Sequence, residues 1–271
     1  MSCTGCGLGL LCTARAQGVT GRARWPWLAL AALSIGGTGI WVMHFIAMLG
    51  YTISGEQIRY SVPITLLSAV NAVVFVFIGL LIVGTGRDST ARLGLAGLIT
   101  GLGVATMHYM GMAAMRMSAV MHYDPLLVAA SVVIAVIAAT AGLWFALRVR
   151  GVWATLGATL IMGVAVSGMH YIGMAAMTAN MDPNMVMSDV GGGATAEEFL
   201  IPLIIGISIV AMLLLTIILL TPGEAELRRE EELEQRFQRG TEGRTDPAPA
   251  PAPASHQPAP PAADGSAWFT G

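Results

Sequence analysis

The chain has 271 residues, of which 55% are apolar and only 11% charged, and its formal net charge is −2. Soluble domains carry about 25% charged residues, so this deficit, with a positive mean hydropathy, points to helices embedded in a bilayer. The near-zero net charge offers nothing to nucleic acid. The three cysteines, Cys3, Cys6 and Cys12, crowd one end and form no disulfide framework.

Residues 1–14 are small and apolar, with no basic n-region and no clear cleavage site, so they do not read as a removed signal peptide. They fall short of the ~20 residues a spanning helix needs and read as a truncated helix whose start lies upstream of Met1. Cys3 and Cys6 have C-x-x-C spacing without a second ligand pair and read as small residues on an apolar helix. Six segments long enough to cross a bilayer follow, at 28–49, 62–84, 93–115, 125–147, 154–177 and 200–221. Backbone polar groups in hydrocarbon must be satisfied within the protein, so these spans are helices. The expected fold class is all-α: a polytopic transmembrane helix bundle of six full spans plus a truncated N-terminal helix.

All 14 basic residues are arginine, and their distribution sets an orientation. Arg15, Arg22 and Arg24 precede the first span, Arg87 and Arg92 separate the second and third, and Arg148 and Arg150 separate the fourth and fifth. Arg228, Arg229, Arg236 and Arg239 follow the last. The alternate connections are poor in arginine. This alternation predicts a multi-pass protein of a cytoplasmic (inner) membrane with residues 15–27 and the C-terminus in the cytoplasm. The predicted domains are the transmembrane region at 1–221, a charged cytoplasmic juxtamembrane helix at 222–240 and a disordered Pro/Ala-rich tail at 241–271.

A repeat of about 63 residues runs through the membrane region, making three two-helix units. Its marker is Met43-His44-Phe45 with Met48, then Met107-His108-Tyr109 with Met112, then Met169-His170-Tyr171 with Met174. At 3.6 residues per turn, the Met four residues after each His shares its face. Met115 and Met177 are expected one turn further along that face, where the first copy has Tyr51. Seven residues before each His stands a glycine, Gly37, Gly101 or Gly163, whose small size suits close helix packing. The three motif helices share one orientation, with each His one to two turns from the predicted outer end.

Imidazole and thioether together suit copper, above all Cu(I). Calcium and magnesium want oxygen ligands, and structural zinc prefers Cys, His or carboxylate to Met. The competing readings are a structural polar network of histidines and a proton relay. The metal candidates are His44, His108 and His170 with Met48, Met112 and Met174. Met43, Met107, Met169, Met115 and Met177 are additional candidates, although Met also serves as adaptable core filler. His122 reads as a surface residue beside Asp124, His256 falls in the tail, and Asn71 reads as a bond between helices. Trp25, Trp27 and Trp153 flank spans as interfacial anchors.

Three Met-His-aromatic motifs on alternating membrane helices resemble the MHYT domain, a bacterial integral-membrane sensor module, over residues 1 to about 221. The resemblance implies seven spans, motifs near the outer membrane face, copper held by the motif His and Met, and sensing of oxygen, carbon monoxide or nitric oxide. The fourth motif position, nominally Thr, is Ile46, Met110 and Ile172 here. The leading expectation is a non-enzymatic membrane sensor that responds to a diatomic gas or redox state and is read by a cytoplasmic signalling partner at 223–240. The alternatives are a copper-handling transporter and a haem protein. Towards the cytoplasm from the histidines the motif faces carry Ile40, Val104, Val166 and the three glycines, and such apolar faces disfavour an ion conduit.

Overall fold

The computed structural model describes residues 1–51, 58–84, 89–117, 119–181, 193–220, 232–236 and 239. The chain divides into two units, Met1–Glu224 and Ala225–Gly271. In the second unit residues 232–236 are helical, within the expected charged helix. The Pro/Ala tail lies outside the described residues.

The first unit is an all-α bundle with six helices long and apolar enough to cross a membrane. Helix α1 covers Ser2–Gly18. Helix α2 (Arg24–Ala32) continues through a π-helix (Leu33–Val42) into α3 (Met43–Leu49), making one rod with a 3-10 turn at its start. Helices α4 (Val62–Gly84), α5 (Thr90–Ala113), α6 (Pro125–Arg148), α7 (Val152–Ala175) and α8 (Ile201–Leu220) follow. Asp124 caps α6, its side chain accepting from Leu126 N at 2.8 Å, with Pro125 at the first helical position. A capping box of Thr195 and Glu198 starts the short π segment (Ala196–Leu200) that leads into α8.

Long apolar side chains cover the outside. Val133 and Ile137 on α6, Leu160 and Val164 on α7, and Ile209 and Leu213 on α8 are each more than half exposed. Only a bilayer solvates such a surface cheaply. Inside, small residues bring helices close together beside buried Trp41, Phe45 and Met48. A Cβ on Gly101 would stand 2.5 Å from the Val136 Cα on α6, and one on Gly36 would stand 2.9 Å from the Val73 Cα on α4. Lipid supplies no hydrophobic drive between helices, so close approach of small residues has to supply dispersion contact. Interhelical hydrogen bonds add to it. Asn71 donates to Gly103 O at 2.8 Å, and Trp41 Nε1 donates to Ser68 Oγ at 3.0 Å.

Two expectations need correction. The N-terminal helix, read over residues 1–14, runs further: α1 covers Ser2–Gly18, 17 residues, past the apolar run. Its Cys6, Leu8, Cys12 and Ala16 are buried, and it packs against the π-helix, α6, α7 and α8. Arg15, assigned to a loop, closes α1 and donates to Ile218 O of α8 at 2.8 Å. The Arg-poor connections, read as loops, also contain strands. Strands β1 (Arg59–Tyr60), β2 (Met115–Arg116) and β5 (Ala194–Thr195) form an antiparallel sheet in the order β2-β1-β5. Strand β3 (Ala119–Tyr123) pairs with β4 (Met177–Met181), Tyr123 opposite Met177.

The bundle therefore has two unlike ends. At one, arginines and a glutamine satisfy the last carbonyls of helices. Arg92 donates to Ile82 O at 2.7 Å, Gln17 donates to Ala146 O at 2.8 Å, and Arg150 donates to Gln17 Oε1. At the other, α3, α5 and α7 end beneath the strands. Gly101→Leu is expected to force α5 from α6 and destabilise the bundle by about 1–3 kcal/mol. Gly157→Ala, which meets nothing within 4 Å, should leave stability unchanged or slightly raised. Thermal unfolding in detergent checks both.

Candidate metal centre

Each motif histidine stands five residues before the end of its helix: His44 before Leu49, His108 before Ala113 and His170 before Ala175. Equal setbacks on three helices of like direction bring the rings to one height. His44 Nδ1 lies 3.0 Å from His170 Nδ1 and 3.1 Å from His108 Nδ1. The rings meet edge to face, with centroids 4.9, 4.9 and 5.1 Å apart. All three residues are buried, at 0–1% exposure.

Hydrogen bonding alone does not satisfy this triangle. A neutral ring nitrogen carries one N–H or one lone pair, yet two Nδ1 neighbours crowd His44 Nδ1. The Nε2 atoms of His44 and His108 are buried and have no partner. A cation accepting a lone pair from each Nδ1 would resolve the crowding. Two nitrogens bound about 2.0–2.1 Å from one tetrahedral ion stand roughly 3.3 Å apart, a few tenths of an ångström wider than the two contacts here. Among the described residues these three form a group that can hold a metal ion, with ligand atoms within 4.8 Å of one another.

Backbone proximity seats the rings. A Cβ on Gly111 of α5 would overlap His44 Nε2, and one on Gly173 of α7 would overlap His108 Nε2. Both glycines stand three residues after a motif His, where the first copy has Ala47. Each of these two imidazoles thus lies against the next motif helix at a position with no side chain. The sequence reading passed over these positions, although a small residue three places after every His was there to be seen.

The aromatic residues after the histidines have separate tasks. Phe45 is buried between Trp41, at a centroid distance of 4.8 Å, and Tyr60, at 6.0 Å. Tyr109 OH and Ser131 Oγ share a 2.7 Å hydrogen bond, while Tyr171 is 63% exposed on the outer surface. Above the triad Tyr60 is buried on β1, and burial pushes its phenol up to about 12. Tyr123 on β3 is raised by burial first, then by the neighbouring Tyr109 and Tyr51.

The methionines divide. Met48 and Met112 are fully buried one turn beyond their histidines, and Met174 is half-buried. Met43 and Met107 are buried, whereas Met169 lines an internal cavity beneath the triad. Met115 and Met177 do not continue the helix face. Helices α5 and α7 end at Ala113 and Ala175, so these residues open β2 and β4, opposite Tyr60 and Tyr123. Of the glycines seven residues before each His, Gly101 meets α6 and Gly163 meets Cys3 of α1, whose sulfur would stand 2.7 Å from an added Cβ. Gly37 has nothing closer than Val73 Cγ2 at 3.9 Å, and the tight contact falls to Gly36. The intervening π-helix explains this, because i→i+5 bonding adds a residue per turn and rotates the face. His122 is exposed on β3, opposite Thr178.

Residues 37–96 and 101–159 match the MHYT family model, described as a bacterial signalling protein N terminal repeat. The bifunctional diguanylate cyclase/cyclic di-GMP phosphodiesterase MucR of Pseudomonas aeruginosa is 43% identical over 161 residues, which is 58% of this chain and 23% of that protein. The cyclic di-GMP phosphodiesterase NbdA of the same organism is 37% identical over 163 residues, 58% of this chain and 20% of that protein. The signaling protein YkoW of Bacillus subtilis is 32% identical over 164 residues, with the same two shares. The chain thus spans less than a quarter of the length of these relatives. No solved structure matches it. His170 lies beyond the two matched stretches, yet it completes the triangle.

Gly173→Ala should push the His108 ring out of place, whereas Gly168→Ala on the same helix meets nothing within 4 Å. In nanodiscs, histidine 15N resonances are expected to move for the first variant and to stay put for the second.

Proposed function

We propose that this chain, which matches the MHYT family model at residues 37–96 and 101–159, is a multi-pass inner-membrane sensor whose three imidazoles hold one copper ion. The observation that carries the reading is the convergence of three buried Nδ1 atoms, two of the spacings being 3.0 and 3.1 Å. The all-imidazole donor set, with no carboxylate in the cluster among the described residues, favours a borderline ion. Met48 and Met112 lie within a turn and suit Cu(I). The Arg-rich end is the cytoplasmic one by the charge rule, which sets the triad near the outer face. Copper with an open position would supply redox change and affinity for a diatomic gas, oxygen, carbon monoxide or nitric oxide.

The residues of the chain provide the response. His44, His108 and His170 come from three different helices, so any change in their spacing moves α3, α5 and α7 against one another. The π-helix directly before Met43 is the compliant element, since π segments are less regular than α-helix and recur at functional sites. Movement there reaches α1 through the Gly5–Gly39 contact and α4 through Gly36. At the Arg-rich end it would be read through residues 222–240 by a cytoplasmic signalling partner. Two relatives bear the names of cyclic di-GMP enzymes, which makes turnover of that nucleotide the natural output. The membrane region itself is read as non-enzymatic, as no nucleophile or carboxylate joins the cluster among the described residues.

Transport fits less well, because the space beneath the triad is apolar. Haem fits less well too. The cavity next to the triad holds about 40 Å³, far under the roughly 300–1,000 Å³ of small-molecule and cofactor sites.

Metal analysis of detergent-purified protein after copper loading tests the proposal. One copper per chain is expected in the wild type and none in the variant with His44, His108 and His170 all changed to Ala. Met48→Leu with Met112→Leu should weaken Cu(I) more than Cu(II). Absence of copper from the loaded wild type would overturn the copper reading.

A further inference from the structure

An internal cavity of about 40 Å³ lies beneath the triad, on the side away from the strands. Its lining includes Ile40, Val104 and Val166, each four residues before a motif histidine. One turn, about 6 Å of helix rise, separates those residues from the imidazoles. Met169, adjacent to His170 in sequence, also lines it. The cavity thus follows the three-fold pattern of the motif and lies one turn below the triad on all three motif helices.

Its chemistry excludes water. Thr100 is the polar side chain in the lining, and its hydroxyl is engaged with Phe75 O at 3.4 Å. A buried water needs two to four polar partners, and cavities without them stay dry. The space exceeds the 10–15 Å³ that one water-sized sphere needs, so a diatomic molecule fits. Access is from the bilayer. The α6 lining residues Ala138 and Ala139 are half-buried, and α6 exposes Val133 and Ile137 beside them. Neutral apolar solutes concentrate in hydrocarbon.

We propose that this cavity is a binding site for a neutral apolar diatomic molecule, which enters laterally from the lipid and is held one helical turn below the histidine triad. The significance for signalling rests on the gas-sensing reading above, whereas occupancy of the cavity depends only on its shape and lining. The same apolar faces that disfavour an ion path make a store for gas beside the imidazoles.

Xenon is the probe, since it is apolar, close in size and indifferent to copper. Full-length, metal-free protein in lipid nanodiscs would carry 13C-methyl methionine and be titrated with xenon pressure. The Met169 and Met162 methyls, which line the cavity, should shift saturably, while the lipid-facing Met212, 49% exposed, should drift linearly. Ala139→Leu should abolish the saturable shift by filling the space. Leu143→Ala, which enlarges it, should give saturation at lower pressure, so the proposal remains testable if the filled variant fails to fold. A linear Met169 response in the wild type, or saturation that neither variant alters, would overturn the cavity site. Because the titration needs no metal, saturable xenon binding in a protein that takes up no copper would leave the cavity standing and remove only the copper reading.

Discussion

The contact on which the bundle turns is that of three imidazoles meeting Nδ1 to Nδ1 in a dry interior. Imidazole nitrogens are poor neighbours in that setting unless a proton or a cation lies between them. Holding them there requires three helix ends at one height, which the equal five-residue setback of each histidine provides. It also requires the backbones to approach until an imidazole edge rests on a neighbouring helix, and Gly111 and Gly173 permit that. The strands then close the outer side, with Tyr60 and Met115 buried in the lid.

A membrane interior gives this arrangement its character. Lipid offers no hydrophobic force to press helices together, so the packing is made by small residues, by Asn71 and Trp41 hydrogen bonds and by the buried α1. Many large apolar side chains are turned outward to lipid, while Trp41, Phe45 and Met48 stay buried. A bundle built of small residues around a polar triad leaves space where helices diverge, and the apolar cavity sits one turn below the histidines. The triad thus has two unlike sides, a sealed lid towards the strands and a dry pocket towards the bundle centre.

The match to the MHYT family model over residues 37–96 and 101–159 and the similarity to signalling proteins agree with a site whose three ligands come from three helices. Such a site is suited to converting a local change into relative helix movement, because no rigid single element carries all the ligands. The π-helix beside His44 places a deformable segment on the motif helix that contacts both α1 and α4. The arginines and Gln17 at the opposite end tie α1 to α6 and α8, so displacement at the triad is not free to dissipate within one repeat.

The sequence by itself determined the membrane class, the six spans to within a few residues at most ends, the three-fold repeat and the three histidines. Hydrophobic length and 3.6-residue periodicity are local properties, legible without knowing what packs on what. Asn71 as an interhelical bond was legible for the same reason, since an amide within an apolar span must find a partner. Only the tertiary structure decided that the histidines meet, that Gly111 and Gly173 seat their rings, and that α1 packs against the π-helix, α6, α7 and α8. It also moved Met115 and Met177 off the helices into strands, moved the close contact from Gly37 to Gly36 through the π-helix, and turned Met169 into the cavity. Each of these depends on where a neighbouring helix lies or where hydrogen bonding departs from the α pattern, and sequence spacing encodes neither.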